Sequence, residues 1–324
     1  MIYPSNPDKA EFESVWQYLK AFSVYQDESI YNGRILESPY LYKNTQMMLQ
    51  MIADTLRGES YTHYVDQSRF EEYGAVTNRI SNSQNVVTYK DLTESTGILT
   101  IVTFLGNDIY QQFLKCITQI RPTCKNLIID VRENLGGSIT EVDSIIEAFL
   151  PAGKEYIKAR ERNLKFGSEA ATIGWHSWIT SRPNNTAFNH VQNWIVWMNG
   201  NSASASEILA VALKEGKSAR LVGSRSYGKG IGQILLKRHN RLGLQITFLQ
   251  LKGCKLIGDY HGIGIKPDVE IKTNDTASVI RLVEPSYIGR TTNATILSVN
   301  KTAVPACYKI IDEDSLLNSL YSDQ

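Results

Sequence analysis

Apolar positions recur at helical spacing early in the chain and give way to short β-branched runs after Gly97. Phe12, Val15, Trp16, Leu19 and Phe22 share one helical face, so residues 11–22 are expected to form an amphipathic helix. Met47, Met48, Met51, Ile52, Thr55 and Leu56 predict a second helix, ended by Gly58. Residues 59–92 are polar and poorly patterned, and the first 92 residues read as a small, mostly helical unit. Ile98 to Phe104 then reads as a strand. Asn107 or Asp108 can cap a helix running to about Ile120, stopped by Pro122. Leu127 to Val131 is a short buried strand, Gly136-Gly137 a turn, and Ser138-x-x-Glu141 a capping box opening a helix through Leu150. Residues 151–191 read as a long irregular insertion. Trp194–Met198, a helix over 205–215 and Ala219–Gly223 continue the alternation. Such alternation of strands and helices marks crossover units on a largely parallel sheet. Residues 231–237 read as a strand and 242–251 as hairpin material; Pro267 and Asp268 close the core, and Leu316, Leu317 and Leu320 suggest a docking helix in the tail.

Composition narrows the function more than the fold. A chain of 324 residues is long for one compact domain, so one core of about 180 residues with appendages is expected. Lys and Arg number 34 against 33 acidic residues, and no charge block stands out, which removes the footprint of a nucleic-acid binder. Cys116, Cys124, Cys254 and Cys307 include no Cys-x-x-Cys, so neither zinc nor dithiol chemistry is indicated. The apolar runs are too short to span a bilayer, and the first residues lack the features of a signal peptide.

The candidate chemistry lies between 199 and 233. Ser202-Ala-Ser-Ala-Ser206 opens a helix, and Lys229 stands between Gly228 and Gly230 after a strand. A nucleophile at a helix start and an amine that can be buried beside it are what a serine–lysine hydrolase needs. Capping accounts for the serines equally well, since Ser204-x-x-Glu207 is a capping box, and a solvated turn accounts for the lysine. The flanking glycines favour close backbone approach, so Lys229 is expected to point inward, where burial disfavours its charge. Gly223-x-x-x-x-Gly228-Lys229 imitates a phosphate loop, but Gly230 stands where Ser or Thr should bind magnesium, and a strand follows instead of a helix. The five histidines stand singly, and neither Gly-x-Ser-x-Gly nor His-Glu-x-x-His occurs.

Four stretches together resemble the S41 serine peptidases, the family of C-terminal processing proteases and the tricorn core. Ile128-Ile-Asp-Val-Arg-Glu-Asn-Leu-Gly-Gly137 is similar to its Asp-x-Arg-x-Asn-x-Gly-Gly strand and turn, and Ser202–Ile208 to its nucleophile motif. Val222–Gln233 is similar to its lysine segment and Gly262–Asp268 to its Gly-x-x-Pro-Asp close; Tyr61-Thr-His-Tyr64 resembles the Tyr-Thr-x-Tyr segment before the core. The resemblance implies an α/β, ClpP/crotonase-like layered core over residues 93–272, carrying the 151–191 insertion, between an N-terminal helical region (1–92) and a C-terminal extension (273–324). It implies Ser204 as nucleophile, Lys229 as general base, Gln233 as orienter of its amine, and the amides of Ala205, Gly137 and Gly136 as oxyanion donors. Ser202 and Ser206 are then packing or capping residues. The implied activity is endopeptidase hydrolysis of a polypeptide through an acyl-enzyme, without metal or organic cofactor, outside the cytoplasm. The stretch between Tyr64 and Gly97 is too short for the PDZ domain that many members carry there. Two rival functions share the fold: a non-proteolytic binder of hydrophobic ligands or peptides, and a crotonase-type acyl-CoA enzyme, for which no acidic catalytic pair is placed.

Overall fold

The computed structural model describes residues 9–25, 44–55, 61–66, 68, 70, 85–106, 108–162, 172–238, 242–271, 275–289 and 308–312. Two six-stranded sheets enclose a layer of helices. The first sheet runs in the order β11 (Val269–Glu270), β8 (Arg220–Gly223), β7 (Asn193–Met198), β4 (Asn126–Asp130), β3 (Thr96–Ile101) and β2 (Val87–Asp91). It is parallel except for the antiparallel β2–β3 pair at its edge. Its central strands are continuous apolar runs because both faces are covered. Leu99, Leu127, Ile129, Val196 and Leu221 face the main core, while Ile98, Ile128, Ile195, Trp197 and Val222 join Val279 and Ile280 on the other side. Val279 and Ile280 belong to a short helix, Thr276–Ile280, that covers this outer face.

The crossover connections supply α3 (Ile109–Ile117), α4 (Ile139–Phe149) and α5 (Ala205–Lys217), after α1 (Lys9–Phe22) and α2 (Thr45–Thr55); Thr276–Ile280 is α6. Asp108 is the N-cap of α3 without a side-chain capping bond, and Asn107 lies outside the described residues. Ser138 Oγ does accept the Glu141 N–H at 3.3 Å, but Glu141 turns its carboxylate to the Tyr110 N–H at 2.6 Å instead of closing the box.

The second sheet departs from the expectation of a single sheet. Its order is β12 (Tyr308–Asp312), β9 (Ile231–Lys237), β10 (Gly243–Lys252), β5 (Glu155–Arg162) and β6 (Thr172–Ile179), with β1 (His63–Val65) also on β10. The insertion expected to be irregular therefore contains an antiparallel hairpin, β5–β6, that extends this sheet. Glu147 of α4 fixes the hairpin's exit by accepting the N–H groups of Ser181 and Arg182 at 2.8 and 2.9 Å. The segment before residue 92 contributes β1 and β2 to the two sheets, besides its helices. At the other end β12 pairs with β9 in parallel, Tyr308 standing opposite Gln233. The end of the second predicted helix at Leu56 and Gly58, and the leucines 316, 317 and 320, lie outside the described residues.

Candidate active site

The strand β4 and the loop after it build the floor of the site. Asp130 and Arg132 form a buried pair, with Nη2 to Oδ2 at 2.6 Å and Nε to Oδ1 at 2.9 Å. The guanidinium lies 3.4 Å from the centroid of the Trp197 ring, so its charge is met by a carboxylate at the edge and by a π face below. Asn134 is fully buried and engages five partners: its N–H donates to Val131 O at 3.2 Å, Nδ2 donates to Ile101 O at 2.8 Å, Oδ1 accepts Gly136 N–H at 2.9 Å, and its carbonyl accepts Ala203 N–H at 3.0 Å and Ser206 Oγ at 2.8 Å. The Asp-x-Arg-x-Asn stretch thus holds the glycine turn against the serine loop.

At that turn only glycine fits. Gly136 (φ 99°) and Gly137 (φ 147°) both lie at positive φ. A Cβ on Gly136 would stand 2.8 Å from Ser204 Cβ, and one on Gly137 would overlap the Phe104 backbone at 2.1 Å. The turn is pinned to β3's extension by Phe104 N–H to Gly136 O (2.9 Å) and Ser138 N–H to Phe104 O (2.8 Å), bonds that leave the Gly137 N–H unused.

The three serines of the 202–206 run behave differently. Ser202 Oγ donates to Val131 O and Ser206 Oγ to Asn134 O, each at 2.8 Å. Ser204 Oγ is buried and has no hydrogen-bond partner among the described residues. Of the expected capping box the half from Glu207 forms, its Oε2 accepting the Ser204 N–H at 2.9 Å, while the Glu207 N–H is bonded to the Ser204 carbonyl at 2.8 Å. Ser204 also holds φ 55° and ψ −115° at the N-cap of α5, a conformation costing roughly 1–3 kcal/mol for a residue with a Cβ. Strain and an unanswered buried hydroxyl at one residue are not what a cap requires. The turn bonds at the start of α5 use the N–H groups of Ser206, Glu207 and Ile208, not that of Ala205.

Glu207 joins the serine to the lysine. Its Oε2 accepts the N–H of Ser204 at 2.9 Å and that of Lys229 at 2.7 Å; its Oε1 accepts Gly228 N–H at 2.7 Å and Ser226 Oγ at 2.5 Å. One carboxylate oxygen is therefore shared by the backbones of both predicted catalytic residues. Burial pushes the Glu207 carboxyl up, while donation by Ser226, Lys229, Gly228 and Ser204 opposes that rise. Sequence reading saw this residue only as a cap partner, because its other contacts lie in the lysine turn.

Lys229 is fully buried, as expected from its glycine flanks. Gly228, at φ 95°, passes so close to the 262–268 segment that a Cβ would lie 2.6 Å from Gly264 N. That segment closes the core: Ile265 N–H reaches Ser226 Oγ at 2.7 Å, and Asp268 accepts Leu221 N–H at 2.8 Å and pairs with Lys214 at 2.7 Å. Gln233 lies on β9, fully buried, with neither side-chain atom hydrogen-bonded. His261, which the sequence left as a lone histidine, stands beside the same turn. Burial pulls its imidazole below the usual range and Lys229 adds to that effect, with Asp259 opposing. Its Nδ1, too, is buried without a partner. Unpaired buried polar atoms are rare in folded proteins; among the described residues Ser204, Gln233 and His261 carry them, as do single side-chain atoms of His63, Asp108, His190, Arg238 and Tyr260.

Residues 95–271 match the profile of peptidase family S41, more than half of the chain. The chain belongs to this family. A probable CtpA-like serine protease of Staphylococcus aureus strain COL is 30% identical over 181 residues, which take in 55% of this chain and 33% of that protein. Its counterpart in Staphylococcus epidermidis is 29% identical over 180 residues, 55% of this chain and 34% of the relative. The match thus accounts for about a third of the length of these S41 relatives. Among solved structures, a photosystem II D1 C-terminal processing protease superposes with a TM-score of 0.55 at 15% identity, over 81% of this chain and 92% of the other. A lipoprotein from Streptococcus agalactiae gives 0.56 at 14% identity, over 87% and 97%. These likenesses establish the layered α/β S41 core, the ClpP/crotonase-like fold implied by the motifs. Among the described residues, no helix is long and apolar enough to cross a membrane.

Proposed function

We propose that this S41 member is a serine endopeptidase that cleaves polypeptides through an acyl-enzyme on Ser204, with Lys229 as general base. The observation that carries the reading is the contrast among three serines: two hydroxyls are tied down, and the third is strained, buried and unpartnered while its backbone shares a carboxylate oxygen with the backbone of Lys229. Burial disfavours a charged amine, so neutral Lys229 takes the Ser204 proton as Oγ bonds to the substrate carbonyl carbon. The N–H groups of Ala205 and Gly137 receive the developing oxyanion. The Gly136 N–H is given to Asn134 Oδ1 and so holds the turn in shape rather than serving as a donor. Loss of one such donor costs about 3 kcal/mol of barrier. As the tetrahedral intermediate collapses, the C–N bond breaks and the leaving amine takes the proton from Lys229. Water, deprotonated by the same amine, then releases the acid. Gln233, adjacent on β9 and without another partner, orients the amine. Polypeptides outside the cytoplasm are the substrates that belong with this reading.

The test is intact mass after incubation with a p-nitrophenyl ester at mildly alkaline pH. One stoichiometric adduct mapping to Ser204, missing in Ser204→Ala and Lys229→Ala proteins that retain their circular dichroism, is the expected result. A folded wild-type protein that forms no adduct, or a Lys229→Ala variant acylated as fast as wild type, contradicts it. The first of these outcomes favours a peptide- or ligand-binding protein on the same scaffold.

A further inference from the structure

The segment Tyr61–Tyr64 has no part in the mechanism above, yet it is built into the site. Its strand continuation, β1, lies on β10 with His63 opposite Gln245. Two side-chain bonds fix it further: Gln245 Nε2 donates to Tyr61 O at 2.7 Å, and Thr247 N–H to Thr62 Oγ1 at 3.3 Å. Carried back two residues, the antiparallel register brings Tyr61 level with Thr247, which is itself paired with Gln233. The Tyr61 ring is half-buried, and the Nζ of Lys229 lies 5.1 Å from its centroid.

We infer that Tyr61 is a positioning residue for the catalytic amine, its ring face receiving the ammonium that forms when Lys229 takes the proton of Ser204. The inference rests on the Ser204–Lys229 reading. An aromatic face attracts a cation within about 6 Å and does little for a neutral amine. The contact is therefore weak before proton transfer and strong as the proton arrives, which is the property that lowers a barrier. Two neighbours of Lys229 do not supply this. Glu207 on α5 spends its carboxylate on backbone and hydroxyl donors. His261, with Asp259 behind it, adds like charge when protonated.

The experiment replaces Tyr61 first with phenylalanine, as the reference, and then with phenylalanines carrying one, two and three ring fluorines. Fluorine drains the negative ring face while leaving size and packing nearly unchanged, so a role in space-filling alone is not disturbed. The rate of Ser204 adduct formation with the p-nitrophenyl ester is followed by mass from pH 6 to 11. A weaker ring face makes Lys229 a weaker base: the rising limb of the profile moves stepwise to lower pH, by about one unit in total, and the plateau rate falls with each fluorine. Profiles that superimpose across the series, while Lys229→Ala still blocks the adduct, overturn the role of Tyr61 and leave the dyad standing. A Lys229→Ala protein that acylates like wild type removes the dyad and this inference together.

Discussion

Glu207 illustrates how far one side chain can organise a site it does not chemically serve. Its two oxygens answer donors from Ser204, Ser226, Gly228 and Lys229, so the start of the Ser204 helix and the Lys229 turn are fixed relative to each other through a single buried group. Glu207→Gln keeps the volume but presents an NH2 where an acceptor is needed. It is expected to stay folded and to lose Ser204 acylation about a hundredfold, the scale of a roughly 1 Å misplacement. Glu207→Ala, which strips every donor of its partner, should in addition lose at least about 3 kcal/mol in urea unfolding. Wild-type acylation in the glutamine variant would remove this role. Ser204, Lys229 and Gln233 stand out as candidates in the sequence because each sits in a short run whose composition is unusual by itself, and all three are buried. Glu207 and Tyr61 were legible only as a cap partner and as part of a weak motif, since what they touch lies far along the chain.

At the scale of elements, the parallel sheet was readable and, of the antiparallel one, β9 and β10 were but the β5–β6 hairpin was not, for a reason visible in the strands. β4 and β7 are apolar on both faces and announce themselves as runs. β5, with Lys158, Arg160, Glu161 and Arg162, is charged along much of its length. Register shifts between Glu155 and Ile157 and between Ala159 and Glu161 also break the alternation that would have marked it. The edge of the parallel sheet is secured by a different device. Glu284, just beyond α6, receives the hydroxyls of Thr93 and Ser95 at 2.7 Å each and that of Thr96, clamping the β2–β3 turn. Partial burial pushes its carboxyl up, but the hydroxyls of Ser95, Thr96 and Thr93 outweigh this and hold it below the usual range. A carboxylate with a lowered folded-state pKa stabilises fully above its unfolded value, about 4.3, and loses that contribution as pH falls through the folded one. Melting temperatures of wild type and Glu284→Gln should therefore differ at pH 6 and converge toward pH 3; a constant gap would contradict the clamp.

Over the whole molecule, the N-terminal helix is tied into the second sheet, at the end of β9. Arg238, fully buried at the end of β9, forms a two-pronged pair with Glu11 of α1 at 2.7 and 2.8 Å, and Glu11 also accepts the Tyr64 hydroxyl at 2.8 Å. Arg162 of β5 donates to Lys20 O and Ala21 O at the other end of the helix. Breaking a buried pair from one side leaves a charge unanswered, so Glu11→Ala should cost about 3 kcal/mol in urea unfolding. The value to compare is that of Lys9→Ala on the exposed face, where the i,i+4 partner is Glu13 and little should change. The arrangement also sets an order of events during synthesis. Arg238 leaves the ribosome 227 residues after Glu11, an interval of roughly 10–45 s at ordinary elongation rates. Until β9 and β10 follow, the apolar stripe of Phe12, Val15, Leu19 and Phe22 lacks the strands that complete its sheet. The nascent chain thus passes through a period in which a chaperone has something to hold, and the lysine strand arrives only near its end.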